Sequence, residues 1–521
     1  MKAVHNPYAK IIGATAQFMI PVFQRDYSWT EAECDQLWQD VLRIADEPSD
    51  RGHFMGSLVY IATEVNTATF TRWMLIDGQQ RLTTLTLLAA AMRDYIQENG
   101  WEGADDGPTA EKIEAYFLKN TLEKGEQQYK LLLRRHDQAT LQAVLYGEER
   151  PRKVSERIRD NYDFFREKLE DANLDAIYRG VNRLVVVDVT LDRGVDDPQL
   201  IFESLNSTGM DLTQSDLIRN FILMRLTESE QTRLYQQYWR KIESLFRGSE
   251  RVFDSFARDY LALRTNSSKQ EKADEIYFAF RREFGAAVSD LSELDAVLAH
   301  LLRFARYHAA FSIGVDAPAA LNQPLARLRR MVDVPATLVM RLFECHEGGT
   351  LSISEFVESI ALIESYVFRR AICGEQTRGY WQVFAYLAYG LNAERPLESL
   401  KVGFARQRDN YRFPNDDEFR TALQERDVYA KRVCFDLLER LENYDTNEPS
   451  DTSKYSIEHI MPQNEKLVTE WREMLGENWR DIQRQWLHRL GNLTLTGYNS
   501  KYSDRPFEEK KTIPCGFEES A

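Results

Sequence analysis

An apolar run that ends at a glycine and continues as a helix constrains the fold more than any other feature of this sequence. Trp73 to Ile76 is a short apolar stretch, Asp77 and Gly78 end it, and an apolar segment of helical length begins at Leu82. Glycine permits the positive φ of a sharp turn, so the pattern predicts a strand, a tight turn and a helix. The start of such a helix presents unpaired N–H groups and the positive end of the helix dipole, which favour an anion.

The side chains at this turn allow two interpretations. Asp77, Gln79, Gln80 and Arg81 supply a carboxylate, two amides and a guanidinium beside Gly78. They are suited to hold a phosphate, because the forked guanidinium donates two parallel hydrogen bonds. They also suit a buried polar cluster that attaches the strand to the helix. The local chemistry leaves both interpretations open.

A second junction of the same kind is predicted upstream. Pro21 restricts the preceding residue to extended geometry, and Thr30 has the character of a helix N-cap. Gln24 and Arg25 therefore lie beside a further helix start. In the simplest structural alternative, Arg25 and Arg81 form ion pairs with their neighbours Asp26 and Asp77.

Length and composition bound the class of protein. A chain of 521 residues and 60.7 kDa exceeds one ordinary core, so two to four domains are expected. With 43% hydrophobic and 28% charged residues, no apolar run of about 18 residues and no signal-peptide core, the sequence predicts a cytoplasmic protein without a membrane segment.

Charge and cysteine content narrow the partners. The net charge of −16 argues against indiscriminate coating of nucleic acid, although a local basic groove can bind DNA inside an acidic molecule. The five cysteines are scattered and form no C-x-x-C pair, which argues against a disulfide framework and a structural zinc site.

Hydrophobic periodicity predicts an α+β fold that is predominantly helical. Strands are predicted at residues 54–61, 70–76 and 184–191, helices through most of 82–180, and a helix over 217–226 that follows Thr213. Asn206 and Gly209 read as turn residues. Residues 231–441 read as long amphipathic helices, and residues 443–454 as a linker. Within residues 231–441, the aromatic stripes are interpreted as core; they are Phe253, Phe256, Tyr260, Tyr277, Phe278 and Phe280. The arginine clusters are interpreted as solvated faces rather than phosphate contacts; they are Arg369, Arg370, Arg406, Arg408 and Arg412.

The last seventy residues contain two blocks that suit phosphodiester hydrolysis. The first includes Glu458 and His459, and the second includes Asn492 and Asn499. Hydrolysis needs a base for the attacking water and a hard cation with oxygen or nitrogen ligands. His459 is the candidate base, Glu458 and Asn499 are the candidate metal ligands, and Asn492 is better placed to orient a loop. Either block alone would be read as a lone histidine with turn asparagines.

The two blocks resemble the HNH, or ββα-metal, nuclease motif. Glu458-His-Ile-Met-Pro-Gln463 looks like the D/E-H-I-x-P opening of that motif, and Gly491-Asn-Leu-Thr-Leu495 with Asn499 looks like its second half. The resemblance implies His459 as general base, a divalent metal, Mg²⁺ or Mn²⁺, bound by Glu458 and Asn499, and a structural Asn492. The chain lacks zinc-knuckle cysteines, and the final histidine of the usual name is here an asparagine.

The amino-terminal third resembles a second known domain. Three motifs carry the resemblance: Phe23-Gln-Arg-Asp-Tyr-Ser-Trp29, Ile76-Asp-Gly-Gln-Gln-Arg81 and Phe202-Glu-Ser-Leu-Asn-Ser-Thr-Gly209. They are similar to the ParB/sulfiredoxin-like domain of GmrSD-type modification-dependent restriction enzymes, a domain shared by the phosphorothioate-sensing SspE proteins. The resemblance implies nucleotide binding and hydrolysis at the D-G-Q-Q-R motif.

Together the two resemblances imply a modification-dependent, NTP-regulated DNA endonuclease of antiphage defence. Residues 1–230 are predicted to sense modified DNA or bind GTP, UTP or ATP, residues 231–442 to connect, and residues 443–521 to cut DNA. Partners are double-stranded DNA and a nucleotide, with a homodimer left open. The nucleotide-site residues are Asp77, Gly78, Gln79, Gln80, Arg81, Gln24, Arg25 and Asn206.

The alternative interpretation is a nucleotide-gated DNA-binding or regulatory protein with a degenerate nuclease domain. It is motivated by the acidic net charge and by the short sequence after Lys511, which leaves room for a missing final helix. No Walker-type G-x-x-x-x-G-K-[ST] loop is present, so NTP hydrolysis would be of an unusual kind.

Overall fold

The computed structural model describes residues 1–47, 52–101, 103–147, 151–192, 194–206, 212–246, 249–267, 269–448 and 450–519. The chain divides into two compact units. The first comprises Met1–Lys241 with Val288–Leu291, and the second comprises Ile242–Ala287 with Ser292–Ala521. The three predicted domains, with boundaries near 230 and 442, stay a prediction.

The first unit is built on a six-stranded mixed sheet. Its strands are β1 (Lys2–Pro7), β2 (Ala16–Met19), β3 (His53–Asn66), β4 (Thr71–Asp77), β5 (Leu131–Leu132) and β6 (Leu184–Leu191). The order across the sheet is β1-β6-β3-β4-β2-β5. β1 with β6 and β3 with β4 are antiparallel, whereas β6 with β3, β4 with β2 and β2 with β5 are parallel. The predicted strands 54–61, 70–76 and 184–191 are confirmed, and β3 extends beyond its prediction to Asn66.

Helices pack against this sheet. The helices of the first unit are α1 (Tyr8–Gly13), α2 (Glu31–Asp46), α3 (Gln79–Asn99), α4 (Ala110–Ile113), α5 (Arg135–Tyr146), α6 (Glu156–Glu170), α7 (Leu174–Asn182), α8 (Pro198–Asn206), α9 (Gln214–Leu223) and α10 (Glu228–Leu234). The division of the chain after Lys241 falls within α11 (Arg240–Leu245). α3 is almost wholly buried from Leu82 to Met92, so it serves as the central core helix of this unit. Each fully buried leucine contributes about 1.5–3 kcal/mol, which fixes the start of α3 firmly against β4.

The second unit is helical except for one small sheet. Its helices are α12 (Glu250–Thr265), α13 (Ile276–Val288), α14 (Leu291–Ser312), α15 (Ala319–Met331), α16 (Ala336–Glu347), α17 (Ile353–Ile372), α18 (Tyr380–Tyr389), α19 (Pro396–Ala405), α20 (Asp416–Glu425), α21 (Cys434–Glu442), α22 (Thr469–Leu475), α23 (Trp479–Trp486), α24 (Asn499–Tyr502) and α25 (Phe507–Thr512). The sheet pairs β7 (Ser456–His459) antiparallel to β8 (Leu493–Thr496). The α+β, predominantly helical fold class is confirmed.

Capping explains where two predicted helices begin. The Thr30 side chain accepts a hydrogen bond at the start of α2 while Glu33 bonds back to the Thr30 backbone, which is a capping box. Thr213 accepts from the Asp216 N–H at the start of α9. α9 therefore begins three residues before the predicted position. Asn206 is the last residue of α8, and its side chain lies outside what the structure describes. The predicted turn residues Ser207, Thr208 and Gly209 lie outside the described residues.

Two expectations about the helical region are corrected. Arg370 does not lie on a solvated face: it is completely buried and donates to the carbonyl groups of Gln376, Asn410 and Arg412. A buried guanidinium with several acceptors is a structural tie rather than a phosphate contact. Phe278 is 59% exposed and not a core residue, whereas the other predicted core aromatics are buried.

Three further sequence predictions concern the cysteines, the linker and membrane-spanning helices. All five cysteines are free thiols. Residues 452–454 of the predicted linker form a short 3-10 helix, and the Thr452 hydroxyl donates to Glu439. Within the described ranges, none of the helices has the length and apolar character needed to cross a lipid bilayer.

Candidate functional sites

The turn after β4 has the geometry that its sequence predicts. Gly78 adopts φ 96°, ψ 10°, and α3 begins at the next residue without a side-chain cap. A β-carbon at Gly78 would come within 2.4 Å of the Leu58 side chain and 2.9 Å of the Ser57 carbonyl oxygen. Both the positive φ and the close approach therefore require glycine here. The first N–H groups of α3 remain available to a ligand.

Asp77 and Arg81 hold each other in place. Asp77 accepts from the Ser57 hydroxyl at 3.1 Å and from Arg81 at 3.2 Å, and the Arg81 guanidinium also donates to the Met55 carbonyl at 2.9 Å. Gly56, with φ 111°, leaves the space that this guanidinium fills, since a β-carbon there would lie 1.8 Å from Arg81 Nη1. The polar-cluster interpretation is thus correct for this pair.

The two junctions are joined by glutamine side chains. Gln24 donates to the Ile76 carbonyl at 2.8 Å, and Gln80 accepts from the Ser28 and Trp29 N–H groups at 2.9 and 3.3 Å. Both glutamines therefore fix the loop before α2 to the turn before α3. This tie is a second structural role for residues that were predicted as ligand groups.

Arg25 and Gln79 have polar groups that the described residues leave unpaired. Arg25 has no hydrogen-bond or ion-pair partner in the described ranges, and the expected pair with Asp26 does not form, because Asp26 pairs with Arg134 at 3.3 Å. Gln79 is 7% exposed, and no described group bonds to its Oε1. An unpaired buried oxygen and an unpaired guanidinium at one turn are features of a binding site.

A cavity of about 730 Å³ opens at this turn. Its polar wall consists of the junction residues just described, and Trp29 and Phe54 are aromatic residues of its lining. Val187, Val189, Phe202 and Leu212 supply apolar surface. The volume lies in the range of small-molecule and cofactor sites. The cavity can hold a ligand that carries both an anionic group and a flat apolar ring.

The carboxy-terminal site is centred on His459 at the end of β7. His459 is 4% exposed; Gln463 Nε2 lies 2.9 Å from its Nδ1, and His488 Nδ1 lies 3.2 Å from its Nε2. Burial, with smaller contributions from His488 and Lys510, lowers the pKa of His459 to about 4. The imidazole is therefore neutral near pH 7, because burial disfavours its protonated form.

His488 and Tyr429 complete the surroundings of His459. The ring of His488 stacks on Tyr429 with centroids 5.2 Å apart, and the edge of His459 contacts the same tyrosine at 4.4 Å. The Val428 and Tyr429 N–H groups donate to the His488 carbonyl. In the described part of the chain His488 Nε2 has no partner, so it is the open nitrogen of the histidine pair.

The Asn492 side chain is bonded to backbone groups on two neighbouring segments of the site. Its Oδ1 accepts from the Met461 N–H at 2.7 Å, and its Nδ2 donates to the carbonyls of Met461 and Leu487. These bonds fix the segment after His459 to the segment that carries His488. Asn492 therefore positions both histidines without facing a ligand.

The Glu458 carboxylate is paired with Lys510, and the Asn499 amide nitrogen is bonded to protein groups. The Lys510 ammonium is completely buried, lies 2.6 Å from Glu458 Oε1 and also donates to the carbonyls of His459 and Ile460. Burial raises the pKa of Glu458, and Lys510 opposes that rise. Asn499 donates to the Ile457 carbonyl at 2.9 Å and to the Ser456 hydroxyl.

This arrangement does not fit a divalent cation between Glu458 and Asn499. The ammonium of Lys510 occupies the position from which a metal would neutralise the carboxylate. Among the described side chains no group of three or more histidine, cysteine, aspartate or glutamate residues is arranged to hold a metal ion. The structure therefore supplies no step through a metal at Glu458.

Sequence reasoning missed several residues of both sites. Gln463 is the last residue of the first quoted motif block, and His488 lies three residues before the second. Gly56 interrupts a strand pattern, which is a signal for close approach of another group. Lys510 and Tyr429 gave no signal, because their roles depend on contacts across 52 and 30 positions of the chain.

Comparison with known proteins gives the class of the chain. Two family models match it, and both describe parts of a restriction endonuclease: the N-terminal domain of GmrSD restriction endonuclease matches residues 8–223, and the C-terminal domain of GmrSD restriction endonucleases matches residues 413–520. The chain belongs to the GmrSD restriction endonuclease family. No curated protein matches it. The C-terminal match includes Tyr429, which contacts both histidines.

Proposed function

We propose that this restriction endonuclease is a modification-dependent, NTP-regulated DNA endonuclease of the HNH type that acts on modified foreign or phage DNA. The observation that carries the hydrolytic part is the contact of the buried His459 with His488, whose Nε2 has no partner among the described residues. The family supplies the endonuclease class and DNA as the partner. The finer assignments rest on the motifs and on the two sites.

In the proposed reaction, the histidine pair takes a proton from water. The water oxygen forms a bond to phosphorus, the bond from phosphorus to a sugar oxygen breaks, and that leaving oxygen takes a proton from solvent. His488 Nε2 is the nitrogen open to water and takes this proton. For it to be an acceptor, the Gln463 amide must be turned so that its oxygen accepts from His459 Nδ1–H, and His459 Nε2 then accepts from His488 Nδ1–H and stabilises the charge that develops on His488. The negative phosphate raises the proton affinity of the pair, because a nearby opposite charge favours the protonated imidazole.

The HNH resemblance also implies a divalent cation, Mg²⁺ or Mn²⁺, which in the arrangement seen here would need ligands other than Glu458. Such a cation would polarise the phosphate and stabilise the leaving oxygen. Lys510 already neutralises Glu458 at 2.6 Å, so the steps above use only protein groups.

At the amino-terminal cavity we propose NTP binding. Arg25 and the first N–H groups of α3 would hold phosphate oxygens, and Trp29 with Phe54 offers the aromatic surface for the base. Arg81 holds Asp77 beside the bound phosphates. GTP, UTP and ATP all fit this description.

The alternative function is a nucleotide-gated DNA-binding protein with a degenerate nuclease domain. Two observations favour it: Glu458 is bound by Lys510, and both nitrogens of His459 lie at hydrogen-bond distance from protein groups. A protein of this kind would bind modified DNA and leave it intact.

One experiment separates the two functions. The purified chain is incubated with unmodified, glucosylated hydroxymethylcytosine-containing and phosphorothioate DNA, with each NTP in turn, and with Mg²⁺, Mn²⁺ or EDTA. Cleavage confined to one modified DNA and dependent on an NTP supports the endonuclease proposal. Binding without cleavage under every condition supports the alternative.

A further inference from the structure

A basic and aromatic surface lies beside the histidine pair. We define the α23 surface as residues Trp479 to Arg489, which comprise α23 and the turn that follows it. These eleven residues contain three arginines and one aspartate, in a chain whose net charge is −16. Local positive charge in an acidic protein attracts a polyanion while the remaining surface repels it elsewhere.

Two arginines of this surface stack on tryptophans instead of pairing with carboxylates. The Arg480 guanidinium lies 4.8 Å from the Trp479 ring centroid, and the Arg489 guanidinium lies 5.0 Å from that of Trp486. No carboxylate of the described residues lies within ion-pair distance of either arginine, and the buried Nε of Arg489 has no hydrogen-bond partner there. Trp486 is 42% exposed. Their charges are therefore uncompensated.

The α23 surface is held rigidly at the site. Gln483 is 7% exposed, and its amide donates to the carbonyls of Pro462 and Asn464 at 2.9 and 3.0 Å. Pro462 stands three residues after His459, so these bonds fix α23 to the segment that leaves the site. His488 belongs to the same turn as Arg489 and lies 3.2 Å from His459.

We propose that the α23 surface is the surface that grips the DNA backbone next to the phosphate presented to the histidine pair. Arg480 and Arg489 contact phosphates on the same strand, and Trp486 packs against a sugar or base at its exposed face. Stacked guanidinium groups suit this role, because the ring holds the guanidinium plane in place and does not use its hydrogen-bond donors, which can then bind phosphate oxygens. The proposal rests on the proposed function, since it names the substrate-binding surface of that site.

The test measures DNA binding in a full-length chain that also carries His459→Ala, so that no DNA is cut. The dissociation constant for labelled duplex DNA is determined over a series from about 50 to 200 mM salt, the range in which phosphate contacts produce a steep dependence. Arg480→Ala and Arg489→Ala should each weaken binding and lower the slope of log K against log salt by about 1, and the double variant by about 2.

Two further variants make the result specific. Arg420→Ala is the matched control: Arg420 is an exposed arginine of α20 that already pairs with Asp417 at 2.8 Å, so its loss should leave both affinity and slope unchanged. Trp486→Ala should weaken binding with an unchanged slope, and Trp486→Phe should restore most of the affinity, because stacking carries no counterion release.

The outcomes distinguish failure of the α23-surface proposal from failure of the endonuclease proposal. Wild-type affinity and slope in the Arg480→Ala, Arg489→Ala variant would overturn the proposal, and so would weaker binding with an unchanged slope, which indicates general distortion. If the active chain cuts no DNA but the two arginines lower the slope, the surface is correct and the endonuclease proposal fails. If the active chain cuts DNA and the slope is insensitive to both arginines, the surface alone fails.

Discussion

The two candidate sites differ in how their predicted residues are used. At the amino-terminal turn, Asp77, Arg81, Gln24 and Gln80 bind one another or the nearby backbone, and a cavity of about 730 Å³ stays open beside unpaired Arg25. At the carboxy-terminal site, His459 is 4% exposed and Glu458 is closed by Lys510. The first site is a rigid frame around an open volume, and the second is a closed polar network.

The amino-terminal site is preorganised for a ligand, whereas the carboxy-terminal site is already occupied by protein groups. A frame whose polar groups are already satisfied loses little entropy when a ligand enters, so its few unpaired groups carry the ligand's charge. A closed network must exchange a protein partner for substrate or cation. The amino-terminal cavity should therefore respond to removal of its unpaired arginine, and the carboxy-terminal site to removal of its internal cation.

The largest expected effect is at His459. His459→Ala should lower the rate of DNA cleavage by about 10²–10⁴-fold, the range for loss of general-base catalysis by the histidine pair, and should also lower the melting temperature, because His459 is buried and hydrogen-bonded. His5→Ala is the control, because His5 is an exposed residue of β1 and is distant from His459 in the sequence. Cleavage of modified plasmid at the wild-type rate by the folded His459→Ala chain would contradict the proposed site.

Lys510 should be the most sensitive residue for stability. Lys510→Met leaves Glu458 buried without its ammonium, and breaking a buried pair in this way costs about 3–5 kcal/mol in free energy of unfolding. Denaturant titration of Lys510→Met, Glu458→Gln and the double variant measures the coupling. The double variant should recover much of the loss, because it removes the uncompensated charge.

The same variants test whether Glu458 can hold a metal. If a divalent cation takes the place of Lys510, Mg²⁺ should raise the melting temperature of Lys510→Met and leave that of the double variant unchanged. Equal melting temperatures with Mg²⁺ and with EDTA in Lys510→Met would show that Glu458 is a structural carboxylate. Cation-dependent cleavage would then require ligands other than Glu458.

At the open cavity, Arg25 and Arg81 should behave differently. Arg25→Ala should weaken NTP binding by about 10–100-fold, which corresponds to a lost charged hydrogen bond of about 1.5–3 kcal/mol, with stability unchanged because Arg25 has no described partner. Arg81→Ala should sharply reduce NTP hydrolysis. It should also lower the melting temperature without nucleotide, because it leaves the Asp77 carboxylate without its ion-pair partner. Calorimetric titration with each NTP and melting curves make the comparison.

Normal NTP binding in either variant would contradict the role proposed for that arginine. Normal NTP affinity in Arg25→Ala would show that its charge faces no ligand. Normal NTP binding and turnover in Arg81→Ala would make Arg81 a structural ion-pair residue only.

Local chemistry explains what the sequence could predict. Strand β4, Gly78 and the start of α3 follow from an apolar run, a positive-φ residue and helical periodicity, all within about twenty residues. The loop-orienting role predicted for Asn492 agrees with the backbone bonds of its amide and stays a prediction. Signals of this kind are contained in neighbouring positions.

Pairing across long sequence distances explains what the sequence could not predict. Arg81 could be assigned to a phosphate or to Asp77 with equal chemistry, and only the fold brings the Met55 carbonyl and Gly56 to its guanidinium. Asp26 pairs with Arg134 instead of its neighbour Arg25 for the same reason. Lys510 reaches Glu458 across 52 positions, and no local pattern indicates that contact.

The smallest expected effect is the acid dependence of stability that His459 causes. Its pKa in the folded chain, about 4, lies below the value of about 6.5 expected when the chain is unfolded, so the unfolded chain binds the proton first. This contribution is constant above about pH 6.5, and it lowers stability progressively as the pH falls from about 6.5 to about 4. Unfolding free energies of wild type and His459→Asn, measured across this range, should converge as the pH falls, because asparagine cannot take up a proton. Parallel curves would show that His459 titrates normally in the fold, and would place the histidine pair in contact with water rather than in the closed network.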